Sequence, residues 1–157
     1  MNNPSTTGPA PQPDGEGATR ALARHAVTLR YDALPAALVE LIKQCVLDTL
    51  GVAIGASGLA PEAQVVAGYV RDMGGKPEST LWGYGDKAPA AWAAFVNGSL
   101  GHMLDYDDVG AGGHVSIATV PAAFAIAEKL SGVNGRDLIA AIAAGSVWNT
   151  FAGPVLR

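Results

Sequence analysis

The chain has 157 residues, of which 49% are hydrophobic, 15% are charged and 6% are aromatic. Typical globular proteins carry about 25% charged residues. A chain with this much apolar surface and so little charge would collapse, which excludes a disordered or fibrous chain. Ten Lys and Arg against fourteen Asp and Glu give a net charge of −4 without a basic stripe, which argues against nucleic-acid binding. We therefore expect a helical protein of the cytoplasm with a large apolar surface to bury.

The N-terminus and the most apolar stretch of the chain bear on targeting and membranes. Residues 1–17 are polar, rich in Pro and Gly and unlike a signal or transit peptide, so we expect a disordered tail before a helical domain over residues 18–157. The uncharged stretch 138–156 contains polar residues and Pro154, which favours a buried helix over a membrane span. The single Cys45 excludes an internal disulfide and is expected to be a small buried residue on a helix.

Apolar residues at helical spacing predict the first two helices. The first covers residues 18–29. Asp32 is expected to cap the second, with Pro35 in its first turn, where a missing N–H costs nothing. Gly51 and Gly55 in this helix are expected to let another backbone come close. Its buried stripe is expected to comprise Leu34, Leu38, Leu41, Ile42, Cys45 and Val46.

The rest of the chain continues the helical pattern with one interruption. We expect a third helix that begins at Pro61 and stops at Gly74 and Gly75. Residues 79–85 are expected to form an extended segment and a turn, with Trp82 filling a gap in the packing. Three further helices are expected over 89–100, over 120–130 and after Asn134, which caps the last of them. The Asn97-Gly98 pair is expected to interrupt the fourth helix. Six helices without an alternating strand pattern predict an all-α bundle.

Chemistry-bearing residues of the second half concentrate in the segment GHMLDYDDVGAGGH, residues 101–114. Clustered carboxylates repel one another and favour a raised pKa in at least one member, which suits acid–base work near neutral pH. The glycine-rich run 110–113 would let the backbone fold over a small ligand and return towards the acids. If residues 98–106 were helical, His102 and Asp105 would lie three residues apart on one face of the helix. The cluster comprises His102, Asp105, Asp107, Asp108 and His114.

Other interpretations of this cluster remain open at this point. The DYDD sequence could be a solvated helix end, and His102 could be a structural histidine. The H-x-x-D-x-D-D pattern could hold a divalent cation through carboxylate and imidazole groups, although it matches no standard metal motif. The sequence contains no phosphate-binding loop, nucleophile elbow or dinucleotide fingerprint.

Three stretches together resemble the N-terminal part of the MmgE/PrpD family: DTLGVAIGAS, LWGYG and AAFVNGSLGHMLDYDD. The resemblance covers about residues 18–145. That family includes 2-methylcitrate dehydratase, cis-aconitate decarboxylase and an iminodisuccinate epimerase. The resemblance implies an all-α domain joined to a smaller α/β lid, a homodimer, and cofactor-free chemistry on small di- or tricarboxylates without a bound metal.

The resemblance also implies roles for individual residues. Asp105, the first acid of the DYDD block, and His114, in the stretch HVSIATVP, match the family's active-site Asp and His. They are the expected catalytic pair, with the assignment of base and acid left open. His102, Asp108 and Asn97 are expected to support this pair and orient it.

The sequence departs from the family pattern at several points. Val109 stands where many members have Thr, and the run up to His114 is one residue shorter and made of small residues. The similarity fades after Gly145. Lys87 and Lys129 are the nearest cations and lie outside the motif, so the cations that substrate carboxylates need are expected elsewhere.

The resemblance implies a lyase of the 2-methylcitrate dehydratase type, a hydro-lyase or carboxy-lyase, present as an N-terminal portion with half an active site. Such a truncated chain would be inactive alone and would self-associate through exposed apolar faces. A decarboxylase or epimerase of the same family is one alternative. A carboxylate-binding or subunit-interaction domain is another, and an acidic metal-binding helical domain is a third.

Overall fold

The computed structural model of the chain describes residues 17–110 and 113–155, with backbone alone for 147–155. The predicted tail, residues 1–17, lies outside the described residues except for Gly17. Within the described part, six α-helices dominate and the all-α prediction is confirmed. The elements are α1 (Ala18–Thr28), a 3-10 turn (Tyr31–Ala33), α2 (Ala36–Leu59), α3 (Pro61–Met73), β1 (Ser79–Thr80), β2 (Lys87–Ala88), α4 (Ala90–His102), α5 (Ser116–Leu130) and α6 (Gly135–Val155).

Helix α4 is the centre of the bundle and packs mainly against α5 and α2. Its inward positions Ala93, Val96 and Leu100 are fully buried, and they meet apolar residues from the surrounding helices. On the other side of the helix, Phe95 is half exposed. None of the helices in the described part of the chain combines the length and apolarity needed to span a membrane.

Close approach between α4 and α5 depends on glycines of α4. A Cβ on Gly98 would lie 2.9 Å from the carbonyl oxygen of Ile117, and one on Gly101 would lie 3.3 Å from the Ile117 side chain. The sequence assigned this role to Gly51 and Gly55, and that prediction is wrong. Among the described residues, neither has a neighbour within 4 Å of its Cβ position.

The start of α2 also differs from the prediction. The helix begins at Ala36 with Pro35 at its N-cap, and Asp32 lies in the preceding 3-10 turn instead of capping the helix. The Asp32 carboxylate pairs with Arg136 of α6. Ile42 is buried as expected, but Leu38 and Leu41 are 37% and 54% exposed and line a cavity.

The segment between α3 and α4 forms a small antiparallel hairpin that the sequence predicted only as an extended piece and turn. Asn97, buried on α4, accepts the Trp82 N–H through Oδ1 at 2.9 Å and donates from Nδ2 to the Thr80 carbonyl at 2.9 Å. The predicted helix interruption at Asn97-Gly98 is wrong: α4 is continuous through both residues. An amide at position 97 satisfies two backbone groups of the hairpin from an unbroken helix.

Most other boundaries follow the sequence signals. Helix α3 ends before Gly74, whose φ of 65° favours glycine. Asn134 accepts the backbone N–H groups of Arg136 and Asp137 and caps α6 as predicted. Helix α5 begins at Ser116, four residues before the predicted start, so it meets the acidic segment directly.

Candidate functional site

The acidic segment begins where α4 ends. The helix stops at His102, and the N–H of Asp105 donates to the His102 carbonyl at 2.9 Å in a tight turn. Asp105 has a φ of 50°, the left-handed region that non-glycine residues rarely adopt. Residues 98–106 therefore do not form one continuous helix. The turn, not a shared helix face, relates His102 to Asp105.

Gly110 and Gly113 then lie side by side. Gly110 and Gly113 form an isolated antiparallel bridge, with N–H to O distances of 2.9 and 3.1 Å between their backbones. Gly113 has a φ of 107°, which side chains rarely allow. His114 follows immediately. The glycine run thus brings this imidazole back to the acids, as the sequence predicted.

Asp107 is the centre of the site. Its Oδ1 lies 2.9 Å from Nδ1 of His102, and its Oδ2 lies 2.9 Å from Nδ1 of His114. The Asp107 side chain is fully buried, whereas the two imidazoles are partly exposed. The two rings meet edge to face with centroids 4.5 Å apart. One buried carboxylate therefore holds two neighbouring imidazoles.

Hydrogen bonding keeps Asp107 ionised. Burial alone works to raise the pKa of Asp107, but hydrogen bonds from His102, the backbone and His114 outweigh it, and the pKa is lowered. The sequence suggested a raised pKa in at least one acid of the cluster. Asp107 is not such an acid, because its oxygens contact imidazole nitrogens.

The position of Asp107 dictates what the imidazoles can do. A carboxylate only accepts hydrogen bonds, so each neutral imidazole must carry its proton on Nδ1 to make these contacts. The remaining nitrogen of each ring, Nε2, then carries a lone pair. Such a nitrogen can act as a general base, or as a general acid once it is protonated.

Asp105 lies beside the imidazole pair. One atom that could bind a metal ion comes from each of Asp105, His102 and His114, and these three atoms lie within 4.8 Å of one another. The Asp105 side chain is exposed, as is that of His102. Two imidazoles and a carboxylate could hold a divalent ion such as Zn²⁺ after small side-chain rotations, with Asp107 orienting both rings from behind. The same three groups can equally serve acid–base chemistry.

Asp108 points away from the imidazoles into a second environment. Its Oδ2 accepts from the Ser116 hydroxyl at 2.7 Å, which ties the acidic segment to the start of α5. Its Oδ1 is buried and has no hydrogen-bond partner among the described residues. Asp108, Ser116 and Cys45 share the lining of a largely apolar cavity of about 300 Å³. Burial raises the pKa of the Cys45 thiol, as expected for a residue without a nucleophilic role.

The structure thus brings together most of the residues selected from sequence. Asp105, His102 and His114 share one site, and Asp108 anchors the segment that carries them. Asn97 instead binds the hairpin. Sequence reasoning included Asp107 in the cluster but gave it no role, since its contacts depend on two turns whose geometry no spacing rule predicts.

The two nearest lysines are committed elsewhere. Lys87 pairs with Glu128 and Lys129 pairs with Glu78, in both cases at 3.4 Å and around the hairpin. These pairs join the hairpin to α5. Both lysines are therefore held by glutamates around the hairpin.

Comparisons with known proteins agree with the resemblance seen in the sequence. The family model of the MmgE/PrpD N-terminal domain matches residues 20–146. A cis-aconitate decarboxylase of Mus musculus is 32% identical over 122 residues, which are 74% of this chain and 25% of that protein. A cis-aconitate decarboxylase of Homo sapiens is 34% identical over 114 residues, 69% of this chain and 23% of that protein. The chain spans about a quarter of the length of these curated relatives.

Proposed function

This chain belongs to the MmgE/PrpD family, and on that premise we propose that it supplies the imidazole half of a lyase active site that acts on a small polycarboxylate. The single observation that carries the proposal is the pair of imidazoles held by buried Asp107, with Asp105 beside them. Acid–base groups at this spacing suit a reaction in which a proton moves to or from carbon.

Decarboxylation of a cis-aconitate-like tricarboxylate is the reaction we favour, because both curated relatives described above are decarboxylases of cis-aconitate. In that reaction the bond between carbon and one carboxylate breaks, and CO₂ leaves without the bonding electrons. The electron pair remains on the carbon skeleton, and a proton must then be added to carbon. A protonated Nε2 of His114 or His102 is the proposed source of that proton.

Dehydration would use the same groups in the opposite order. A base removes a proton from the carbon next to a carboxylate, a double bond forms, and hydroxide leaves with a proton from an acid as water. Asp105 and the imidazoles could serve as the base and the acid. The choice between carboxy-lyase and hydro-lyase chemistry is therefore a question for the assay below.

The proposal assigns Asp105 and His114 to the reacting pair and His102 to its immediate support. The left-handed backbone at Asp105 supports a functional role, because strained residues persist where the surrounding structure holds them and they concentrate at active sites. Val109 is largely exposed next to this pair and offers no hydrogen bond to a substrate carboxylate. Cationic groups for the substrate must then come from outside residues 101–114.

The test is a chimera of the mouse cis-aconitate decarboxylase in which residues 20–146 of this chain replace the matched segment. Activity is measured with cis-aconitate as CO₂ release and with 2-methylcitrate as loss of water. We expect CO₂ release from cis-aconitate that falls by about 10²–10⁴-fold when His114 is replaced by Asn.

Two controls make the result decisive. The unmodified mouse enzyme fixes the scale of activity, and circular dichroism with thermal melting confirms that the chimera is folded. Loss of water from 2-methylcitrate without CO₂ release would transfer the assignment to a hydro-lyase. A folded chimera that is inactive on both substrates would contradict the proposal and favour a carboxylate-binding or subunit-interaction role.

A further inference from the structure

We infer that Asp107 is a positioning residue that fixes both His102 and His114 in the Nδ1–H tautomer and thereby turns two Nε2 lone pairs towards the same reacting space. The inference rests on the proposed function for its purpose, but its physical content concerns the imidazoles alone. It assigns a role to the one acid of the cluster that neither the motif nor its spacing selected.

The contacts of Asp107 support this role. Its two oxygens are divided between the two rings, one contact each at 2.9 Å, so neither imidazole can turn without losing its partner. The Asp107 side chain has no exposed surface, so bulk solvent does not compete with the imidazoles for its oxygens. The rings are 45% and 31% exposed for His102 and His114, so their remaining edges are open to a ligand.

Asp107 itself does not reach the reacting space. A residue that is fully buried behind two rings cannot touch a substrate that approaches from solvent, so it acts through the imidazoles. A neutral imidazole in water favours the Nε2–H form. Asp107 would instead favour the Nδ1–H form in both His102 and His114. Carboxylate partners that fix the tautomer of a histidine are a recurrent device where the opposite nitrogen does the chemistry.

The chain contains three histidines, which makes the test internally controlled. The third, His25, is exposed on α1 and makes no side-chain contact with Asp107. The tautomer of each ring is read from the nitrogen-15 shifts and couplings of its two nitrogens in the 157-residue chain at a pH where the rings are neutral. We expect His102 and His114 to be Nδ1–H and His25 to be mainly Nε2–H.

Asp107→Asn gives the sharpest variant, because an amide offers one acceptor oxygen and one donor nitrogen in the same shape. One imidazole can then keep its Nδ1–H, whereas the other must accept at Nδ1 and move its proton to Nε2. We therefore expect Asp107→Asn to split the pair into one ring of each tautomer. The matched control is Asp108→Asn, whose carboxylate contacts Ser116 instead of a histidine, and which should leave both tautomers unchanged.

The outcomes separate this inference from the proposed function. A wild-type chain in which His102 and His114 are both Nε2–H overturns the inference, as does an Asp107→Asn variant whose tautomers equal those of the wild type. If Asp107→Asn does not fold, the wild-type tautomers alone decide. An inactive chimera with both rings in the Nδ1–H form would overturn the proposed lyase function and leave the positioning role of Asp107 intact.

Discussion

Asp107 and Asp105 stand two residues apart and illustrate two different uses of a carboxylate. Asp107 is buried and bonded through both oxygens, whereas Asp105 is exposed and held in left-handed backbone. The first stabilises the segment because it satisfies two side chains at once. The second costs stability because L-residues disfavour that conformation. The two residues should therefore respond to mutation in opposite directions.

Asp107→Ala is expected to lower the free energy of unfolding by about 1.5–3 kcal/mol at neutral pH, the range for hydrogen bonds to a charged group. The pKa of Asp107 is lower in the folded state than its unfolded value of about 3.9, so its contribution is complete above that value. It is lost as the pH falls through the folded pKa. Urea unfolding of the wild type and of Asp107→Ala at pH 7 and at pH 3 measures this contribution. A difference in the free energy of unfolding between the two proteins that is as large or larger at pH 3 than at pH 7 would contradict the prediction.

Asp105→Gly is expected to keep or raise the free energy of unfolding by up to about 1 kcal/mol, because glycine adopts left-handed backbone freely. The same substitution removes the proposed reacting carboxylate, so the chimera with mouse cis-aconitate decarboxylase should lose activity. Thermal unfolding and CO₂ release are measured on the same preparation. A variant that is both destabilised and active would refute the argument that strain at Asp105 serves function.

At the scale of single residues, the sequence identified the members of the site but not which of them lies at its centre. Charge clustering and the glycine run selected the cluster as a whole, and the family resemblance then singled out Asp105 and His114. The role of Asp107 depends on the turn after α4 and on the bridge between Gly110 and Gly113, which together place two rings against one carboxylate. Side-chain spacing in sequence carries no information on such an arrangement once regular helix geometry ends.

Among the helices, the contact between α4 and α5 sets the position of the site. Helix α4 delivers His102 at its C-terminus, and α5 begins two residues after His114. Gly98 and Gly101 allow the two helices to approach closely at Ile117. A change in this approach would move one imidazole relative to the other. Helix packing and site geometry are therefore coupled through two glycines.

Gly98→Ala is expected to destabilise the fold by about 1–3 kcal/mol, because the new methyl group would meet the Ile117 carbonyl at 2.9 Å. Gly51→Ala is the matched control, since it lies within α2 with open space at its Cβ position. It should raise stability by up to about 1 kcal/mol through helix propensity. Urea unfolding of both variants tests the pair, and equal effects of the two substitutions would count against close packing at Gly98.

The sequence predicted that α1 to α6 are helices, but it did not predict which of their residues contact other helices. Proline, glycine and asparagine signals gave both ends of α3 and the start of α6, because capping chemistry is local. The exposure of Leu38 and Leu41 and the open surroundings of Gly51 depend on which neighbours pack where. Periodicity predicts that a face is apolar, but it does not predict which part of a wide apolar face finds a partner.

For the whole molecule, the apolar composition leaves an uncovered row on α2. Leu47, Gly51, Ile54 and Gly58 follow at helical spacing and are all exposed. Leu47 is 74% exposed and Ile54 is 54% exposed. An apolar row of this kind is unusual on a monomeric surface and favours contact with another chain. The low charge content of the sequence is therefore visible in the structure as this exposed apolar row.

We predict that the 157-residue chain self-associates through this row. The double variant Leu47→Lys/Ile54→Lys should shift the mass measured by size-exclusion chromatography with light scattering towards that of a monomer. Leu59→Lys, which is equally exposed but lies off the row, should leave the mass unchanged. A monodisperse monomer for the unmodified chain would contradict the prediction.

The central claim is that the imidazole pair held by Asp107 performs the proton transfer of a lyase. Its most direct test is the turnover number for cis-aconitate in the chimera with His114→Asn, set against His25→Asn as a matched histidine outside the site. The account predicts a fall of about 10²–10⁴-fold for His114→Asn and no change for His25→Asn. A folded His114→Asn chimera that turns over cis-aconitate as fast as its parent would contradict the claim.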